Sequence, residues 1–189
     1  MKKPFVLIVS GPTGAGKTEL VKWLLMTYPK LFKRSISATT RPERPGEVGG
    51  RDYHFLSREE FQARIELGDF LEYAVVHGEH LYGTLVSSVV DVLDSGISPV
   101  LTIDVQGHAL ARKIPAISGD IFSVFITVSD VEVLVERLRR RGDTSEADIR
   151  QRLKSRDAEL REMRHYNAHL YNDGSLEMAQ EQFARFLGL

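Results

Sequence analysis

Apolar runs and amphipathic stretches alternate along this chain, and that alternation predicts its elements. Phe5–Val9 is continuously apolar, the pattern of a short strand buried on both faces. Lys17–Tyr28 has helical spacing, with Leu20, Trp23, Leu24 and Met26 apolar, and Pro29 ends it. Arg34–Phe55 is polar and rich in turn formers, among them Pro42, Pro45, Gly46, Gly49 and Gly50, with short strands expected at its ends. Ser57-Arg58-Glu59-Glu60 reads as a capping box that opens a helix to about Gly68.

Further along, Phe70–Val76 reads as a strand, Ser87–Leu93 as a helix, and Pro99–Ile103 as a strand followed by a helix around Ala109. Ile121–Val128 is the strongest strand pattern after the first. Ser129-Asp130 caps a helix expected to stop at Gly142. A second box-like start, Ser145 to Asp148, opens a charged helix to about Tyr166. A short strand at Ala168–Tyr171 and a last helix close the chain. Apolar strands alternating with helices imply an α/β fold: a mostly parallel sheet covered by helices on both faces. Arg34–Tyr82 breaks the alternation and is expected to form a small inserted subdomain.

A chain of 189 residues suits one domain. With 42% hydrophobic and 27% charged residues it has the makeup of a globular protein, and no run approaches a membrane span. The Met1–Val9 segment superficially resembles a signal peptide, but its apolar run is short and a glycine-rich turn follows it, so it reads as a strand. A net charge of -1 predicts no general attraction to nucleic acid or anionic membrane, so phosphate binding must come from local clusters. The absence of cysteine excludes disulfides, thiolate metal sites and cysteine nucleophiles, and fits a reducing cytoplasm.

The sharpest chemical signal is Gly11-Pro12-Thr13-Gly14-Ala15-Gly16-Lys17-Thr18, which matches G-x-x-x-x-G-K-[ST]. Glycines let the backbone wrap a polyphosphate with its N–H groups turned inward, and a helix start adds its positive dipole end. Lys17 offers a point charge to the β- and γ-phosphates, and the Thr18 hydroxyl can ligate Mg²⁺ bridging them. A bare strand-to-helix turn is the competing reading. The buried strand before and the helix after favour an ATP site.

Arg41-Pro42-Glu43-Arg44-Pro45 sets two arginines three apart in a stiff turn, with Ser37, Thr39, Thr40 and Tyr53 as neutral donors nearby. Guanidinium forks match phosphate oxygens. Residue types alone leave two readings open here, a phosphate grip and a solvated charged loop.

Here the chain resembles a known family. Ser37-Ala38-Thr39-Thr40-Arg41-Pro42, Arg44-Pro45-Gly46-Glu47, Asp52-Tyr53-His54-Phe55, Phe70-Leu71-Glu72, Val76-His77-Gly78, Tyr82-Gly83-Thr84 and Ile103-Asp104-Val105-Gln106-Gly107 are similar to guanylate kinases. The likeness runs from the phosphate loop to about Leu160 and then becomes patchy. It implies transfer of a phosphoryl group from MgATP to GMP, and to dGMP, with ATP and GMP as the small-molecule partners. It implies that Arg41, Arg44, Tyr53 and Tyr82 hold the GMP phosphate. Glu72 accepts from guanine N1–H and the 2-amino group, Thr84 donates to O6, and Ser37 and Asp104 complete the base pocket. Arg141 and Arg152 match lid arginines that reach the ATP phosphates and act with Lys17 in catalysis. Asn172 matches an asparagine near the adenine. Arg139 and Arg140 are read as surface. The implied partition is a core of residues 1–33, 84–128 and 166–189, a GMP-binding subdomain at about 34–83, and a lid at about 129–165.

The chain departs from the family pattern at three places. Thr102-Ile103-Asp104 stands where the family usually has Asp-x-Asp, so one carboxylate near the metal is missing. One extra residue separates Glu72 from Tyr82, so either Tyr82 is displaced or a bulge accommodates it. Ala168–Tyr171 is less apolar than the family's last strand, and His169 is expected to be packed or edge-exposed rather than catalytic. Two other functions compete. One is a non-catalytic guanylate-kinase-like binding module, which Thr102 favours and the intact Gly11–Thr18 loop and the lack of accompanying interaction domains oppose. The other is a P-loop kinase of another small phosphorylated acceptor, which the Glu72 and Thr84 pair opposes.

Overall fold

A computed structural model describes residues 3–76, 80–141 and 146–189. In chain order the elements are β1 (Val6–Ser10), α1 (Lys17–Thr27), β2 (Phe32–Arg34), β3 (Ala38–Thr39), β4 (His54–Phe55) and α2 (Arg58–Glu66). Then come β5 (Phe70–Val76), β6 (His80–Leu85), α3 (Val86–Asp94), β7 (Ser98–Thr102), α4 (Val105–Ala111) and α5 (Pro115–Ser118). The last are β8 (Ile121–Thr127), α6 (Val131–Arg141), α7 (Glu146–Glu162), β9 (Ala168–Tyr171) and α8 (Leu176–Leu187). The chain is mixed α/β, with a parallel central sheet flanked by helices, as the alternation predicts.

Two compact units are distinguished, one comprising Met1–Val6, Lys30–Leu101 and Gln106–Ile121, the other Leu7–Pro29, Thr102–Val105 and Phe122–Leu189. In the first, β2 pairs in parallel with β7, Phe32 opposite Ser98. The unit also builds a four-stranded sheet in the order β4-β3-β6-β5 from the segment that broke the alternation. Its β3–β6 and β5–β6 pairs are antiparallel. Ala38, Phe61, Leu81 and Leu85 form its core, with Leu56, Ile65 and Phe70 against them. Phe61 stacks on Phe70 with ring centroids 4.3 Å apart. The capping box that opens α2 is formed: the Glu60 N–H donates to Ser57 Oγ at 3.0 Å, and the Ser57 N–H to Glu60 Oε2 at 2.8 Å.

In the second unit the strands run β1-β8-β9, with β8 and β9 parallel from Val124 opposite Ala168 to Thr127 opposite Tyr171. Leu7, Ile8 and Val9 are fully buried, which is why this strand reads as an unbroken apolar run rather than an alternation. Val135 and Leu138 of α6 pack on Ile149 of α7, with Leu153 against them. The Asp130 carboxylate accepts from the Glu132 N–H at 2.9 Å at the start of α6. The expected stop at Gly142 and the start at Ser145 lie outside the described residues. Helix α7 ends earlier than its charge pattern suggests. Met163–His165 tightens into a 3-10 turn, and Tyr166 becomes extended, buried edge-on against Phe125 at 5.2 Å. A bulky buried aromatic on the sheet outweighs one further helical turn.

Candidate functional site

Strand β1 delivers the chain into Gly11–Gly16, and α1 takes it away. Gly11 has φ 135°, and a Cβ there would run into the Ile126 carbonyl of β8. Gly16, with φ 98°, caps α1 in the left-handed region, where a Cβ would strike the Asn172 amide. Both positions demand glycine by conformation and by space. The first turn of α1 presents N–H groups that have no helical acceptor, a ready anion site.

Lys17 closes over this loop. Its Nζ donates to the carbonyls of Gly11 and Pro12, the second at 2.9 Å. Burial pushes its pKa below the usual lysine value, and the charge of Glu159 on α7 opposes that shift. Glu159 is pushed up by its own burial, drawn back by Lys17 and raised again by Asp104. Thr18 and Asp104 are exposed.

Asn172, buried after β9, ties the loop to its surroundings. Its side-chain amide donates to the Ala15 carbonyl at 2.9 Å, its N–H to the Thr127 carbonyl at 2.8 Å, and its carbonyl accepts from Arg137 Nη2 at 2.9 Å. A cavity of about 780 Å³ opens beside the loop, with Thr13, Lys17, Thr18, Arg137, Arg140 and Asn172 in its lining. Arg140 is exposed, as the sequence suggests, and its place in this lining is an addition to that reading. Arg137, three residues away and on the same face of α6, lines the cavity with it. Arg139 lies at the surface as well, paired with exposed Glu146 at 2.7 Å. Arg152 is half-buried on α7, and the Arg141 side chain lies outside the described residues.

The other unit gathers the acceptor candidates. The Arg41 side chain is 8% exposed. Its Nε donates to the Tyr82 hydroxyl at 3.2 Å, Nη1 to the Pro42 carbonyl at 2.6 Å and Nη2 to Glu47 Oε1 at 2.7 Å. The guanidinium carbon also lies 5.5 Å from the Tyr53 ring centre and 5.7 Å from that of Phe55. Tyr53 meets Tyr82 edge-on at 6.0 Å. Arg41, Tyr53 and Tyr82 thus form one group. Arg44 joins it through its backbone N–H, which donates to Glu47 Oε2 at 2.8 Å, while its side chain is exposed. The charged-loop reading fails for Arg41, since a solvated guanidinium would not be buried among five partners. Glu47 belongs to the group as well, through its bonds to both arginines, and no local signal in the sequence assigns it that task.

Thr84 and Glu72 face each other across β6 and β5, and the Thr84 hydroxyl donates to Glu72 Oε1 at 2.6 Å. The register is irregular between Phe70 and Glu72, and regular from Glu72 opposite Thr84 to Ala74 opposite Tyr82. The irregularity therefore precedes Glu72, the described pairs from Glu72 to Val76 are regular, and Tyr82 keeps its contact with Arg41. Gly83 sits where a Cβ would meet the Glu72 carbonyl at 2.8 Å, so the two strands approach too closely for any side chain there. Ser37, half-buried, precedes β3 and accepts the His54 N–H at its carbonyl, 2.9 Å. His169 bonds the Met163 carbonyl at 2.8 Å, in line with the packed position expected of it.

The family model for guanylate kinase matches residues 2–188. The chain is 40% identical over 187 residues to a guanylate kinase from Rubrobacter xylanophilus, covering 99% of this chain and 95% of that one. It is 40% identical over 186 residues to Guanylate kinase 1 of Arabidopsis thaliana, covering 97% of this chain and 47% of that one, so it spans about half of the plant protein. A crystal structure of guanylate kinase from Anaplasma phagocytophilum matches with a TM-score of 0.66 at 28% identity, covering 100% of this chain and 87% of that one.

Proposed function

Because the chain belongs to the guanylate kinase family, we propose that it transfers the γ-phosphoryl group of ATP to the phosphate of GMP, and of dGMP, giving ADP and the diphosphate. One observation carries the choice of acceptor. Tyr82 and Thr84 lie two apart on β6 and so project to one face. Tyr82 reaches Arg41 and Thr84 reaches Glu72. A cationic phosphate grip and a carboxylate–hydroxyl pair suited to guanine thus share one face of a sheet.

The acceptor is already a phosphate oxygen, so catalysis needs positioning and charge stabilisation and no covalent intermediate. Lys17 and the loop N–H groups hold the donor phosphates, and Arg141 and Arg152 add positive charge to them. Arg41, Arg44, Tyr53 and Tyr82 hold the acceptor phosphate, with Ser37 and Asp104 beside the base. Asn172 and Arg137 border the space for the adenosine. Among the described residues no three carboxylate or imidazole groups converge on a metal position. Thr18 is an exposed hard-oxygen donor at the start of α1, which fits Mg²⁺ carried mainly by the nucleotide phosphates. The ion, when bound, neutralises charge on the β- and γ-phosphates. An intact phosphate loop and enzyme relatives speak against the binding-module alternative. No described helix is long and apolar enough to cross a membrane, and we place the protein in the cytoplasm, in purine nucleotide metabolism.

A coupled assay of ADP formation with MgATP and GMP, AMP, CMP or UMP tests the reading. GMP should be strongly preferred. Equal turnover with AMP, or none with GMP, would overturn it.

A further inference from the structure

Arg156 takes no part in the mechanism above, yet its environment is unusual. It lies on α7 four residues after Arg152 and three before Glu159, so the three share a helix face. Glu159 on that face interacts with Lys17 and Asp104. The Arg156 side chain is only 14% exposed, and a guanidinium cannot shed its charge there. Among the described residues its compensation is poor. Nη2 reaches the Val128 carbonyl only at 3.4 Å, and Nη1 lies 3.6 Å from Asp157, a carboxylate that is 72% exposed. Its Nε is buried and has no hydrogen-bond partner among the described residues.

The place of this cation matters as much as its poor pairing. Val128 follows β8 directly. On that strand the Ile126 carbonyl abuts Gly11 and the Thr127 carbonyl holds Asn172. The guanidinium therefore stands at the carboxyl end of the strand that flanks the phosphate loop, and ligands of α/β sheets bind outside those ends. A buried, poorly paired charge destabilises a fold unless something else requires it.

We propose that Arg156 is a phosphate ligand whose unused N–H groups engage the polyphosphate of the ATP donor. The proposal rests on the donor site described above and names a further residue of it. A planar fork with free donors suits phosphate oxygens better than a point charge does. A merely structural arginine would be expected to have closer partners.

Arg156→Met and Arg156→Lys test it through three readouts: melting temperature without ligand, ATP binding by calorimetry without GMP, and steady-state kinetics. Arg156→Met should melt at or above the parent temperature, because it removes an ill-paired charge, and should weaken ATP binding about ten- to hundredfold. KM for GMP should hold, and Arg156→Lys should recover part of the ATP affinity. Loss of stability with unchanged ATP affinity would overturn the proposal and leave Arg156 a packing residue. Should Arg156→Met not fold, unchanged ATP affinity in Arg156→Lys would overturn it equally. Because ATP binding is read without GMP, failure of the parent protein to phosphorylate GMP would sink the acceptor assignment and leave this test intact.

Discussion

Glu47 and Arg41 form the tightest ion pair of the acceptor grip, 2.7 Å between Oε1 and Nη2, while the second carboxylate oxygen takes the Arg44 N–H at 2.8 Å. One carboxylate thus fixes the side chain of one arginine and the backbone of the other. With Nε on Tyr82 and Nη1 on Pro42, Arg41 keeps two of its five N–H donors for a ligand. Glu47 is in this sense a positioning residue.

Glu47→Gln should raise KM for GMP about tenfold, since a charge-assisted bond becomes a neutral one, and leave KM for ATP unchanged. The hydrogen bond from Arg41 is the main cause holding the Glu47 carboxyl below its ordinary 4.5, and the Arg44 N–H adds to it. A folded-state pKa below the unfolded value means that this stabilisation is present above pH 4.5 and fades as pH falls through the lower folded value. The parent grip should therefore weaken only in acid below that range, and Glu47→Gln should lack that limb. Equal loss for both nucleotides would refute the assignment.

Lys17→Met should lower kcat by at least about a hundredfold, the scale of removing one preorganised charge-stabilising donor. Its effect on the unliganded fold has the opposite sign. Burial lowers the folded-state pKa of Lys17, so between that pKa and 10.5 the unfolded chain binds more protons and stability rises with pH. The variant should melt no lower than the parent near neutral pH, and its stability should rise less on approaching pH 10.5. A marked drop in stability would show that Lys17 holds the loop together rather than serving the ligand.

Glu72→Gln tests the base. Guanine offers two adjacent donors, N1–H and the 2-amino group, to one carboxylate, whereas adenine offers a lone pair at N1. The single hydroxyl hydrogen of Thr84 is given to Glu72 in the free protein, so that hydroxyl must turn away from Glu72 to donate to guanine O6, which also frees the carboxylate for the two guanine donors. The variant should lose GMP efficiency by about a hundredfold or more, within the range for sites that hydrogen-bond a substrate group, and narrow the gap between GMP and AMP. An unchanged preference in steady-state kinetics would remove Glu72 from the base site.

The elements were legible where one local pattern determines one structure. The apolar run Phe70–Val76 coincides with β5, and Ser57 with Glu60 marks the start of α2, because both signals lie within a few positions. The phosphate loop was legible for the same reason: its chemistry is in its own backbone. What the sequence hid depends on distant partners. Nothing near Asn172 tells that its amide meets Ala15, 157 residues away. An extra residue between Glu72 and Tyr82 leaves a displaced Tyr82 and a bulge equally open, and the regular pairing from Glu72 opposite Thr84 to Val76 opposite His80 is visible only with the facing strand in place. Arg140 read as one more cation at a helix end, and only the cavity it lines distinguishes it from Arg139.

Asn172 offers a test of how far loop geometry and ATP affinity are linked. Its amide is the partner of the Ala15 carbonyl, in a residue that is itself fully buried. Asn172→Ala leaves that carbonyl unsatisfied, a cost of about 1–3 kcal/mol, or a fall in melting temperature of roughly 2–10 °C for a domain of this size. Asn172→Asp should cost more, because a carboxylate has no proton to give the carbonyl and sets two acceptors against each other. The same contact holds the loop just before Gly16, where the backbone must stay left-handed for α1 to present its N–H groups. KM for ATP should rise in both variants, in the same order as the stability loss, while KM for GMP stays put. Were stability to fall with KM for ATP unmoved, the amide would serve the fold alone, and the loop would hold its shape through the backbone of Gly11 and Gly16.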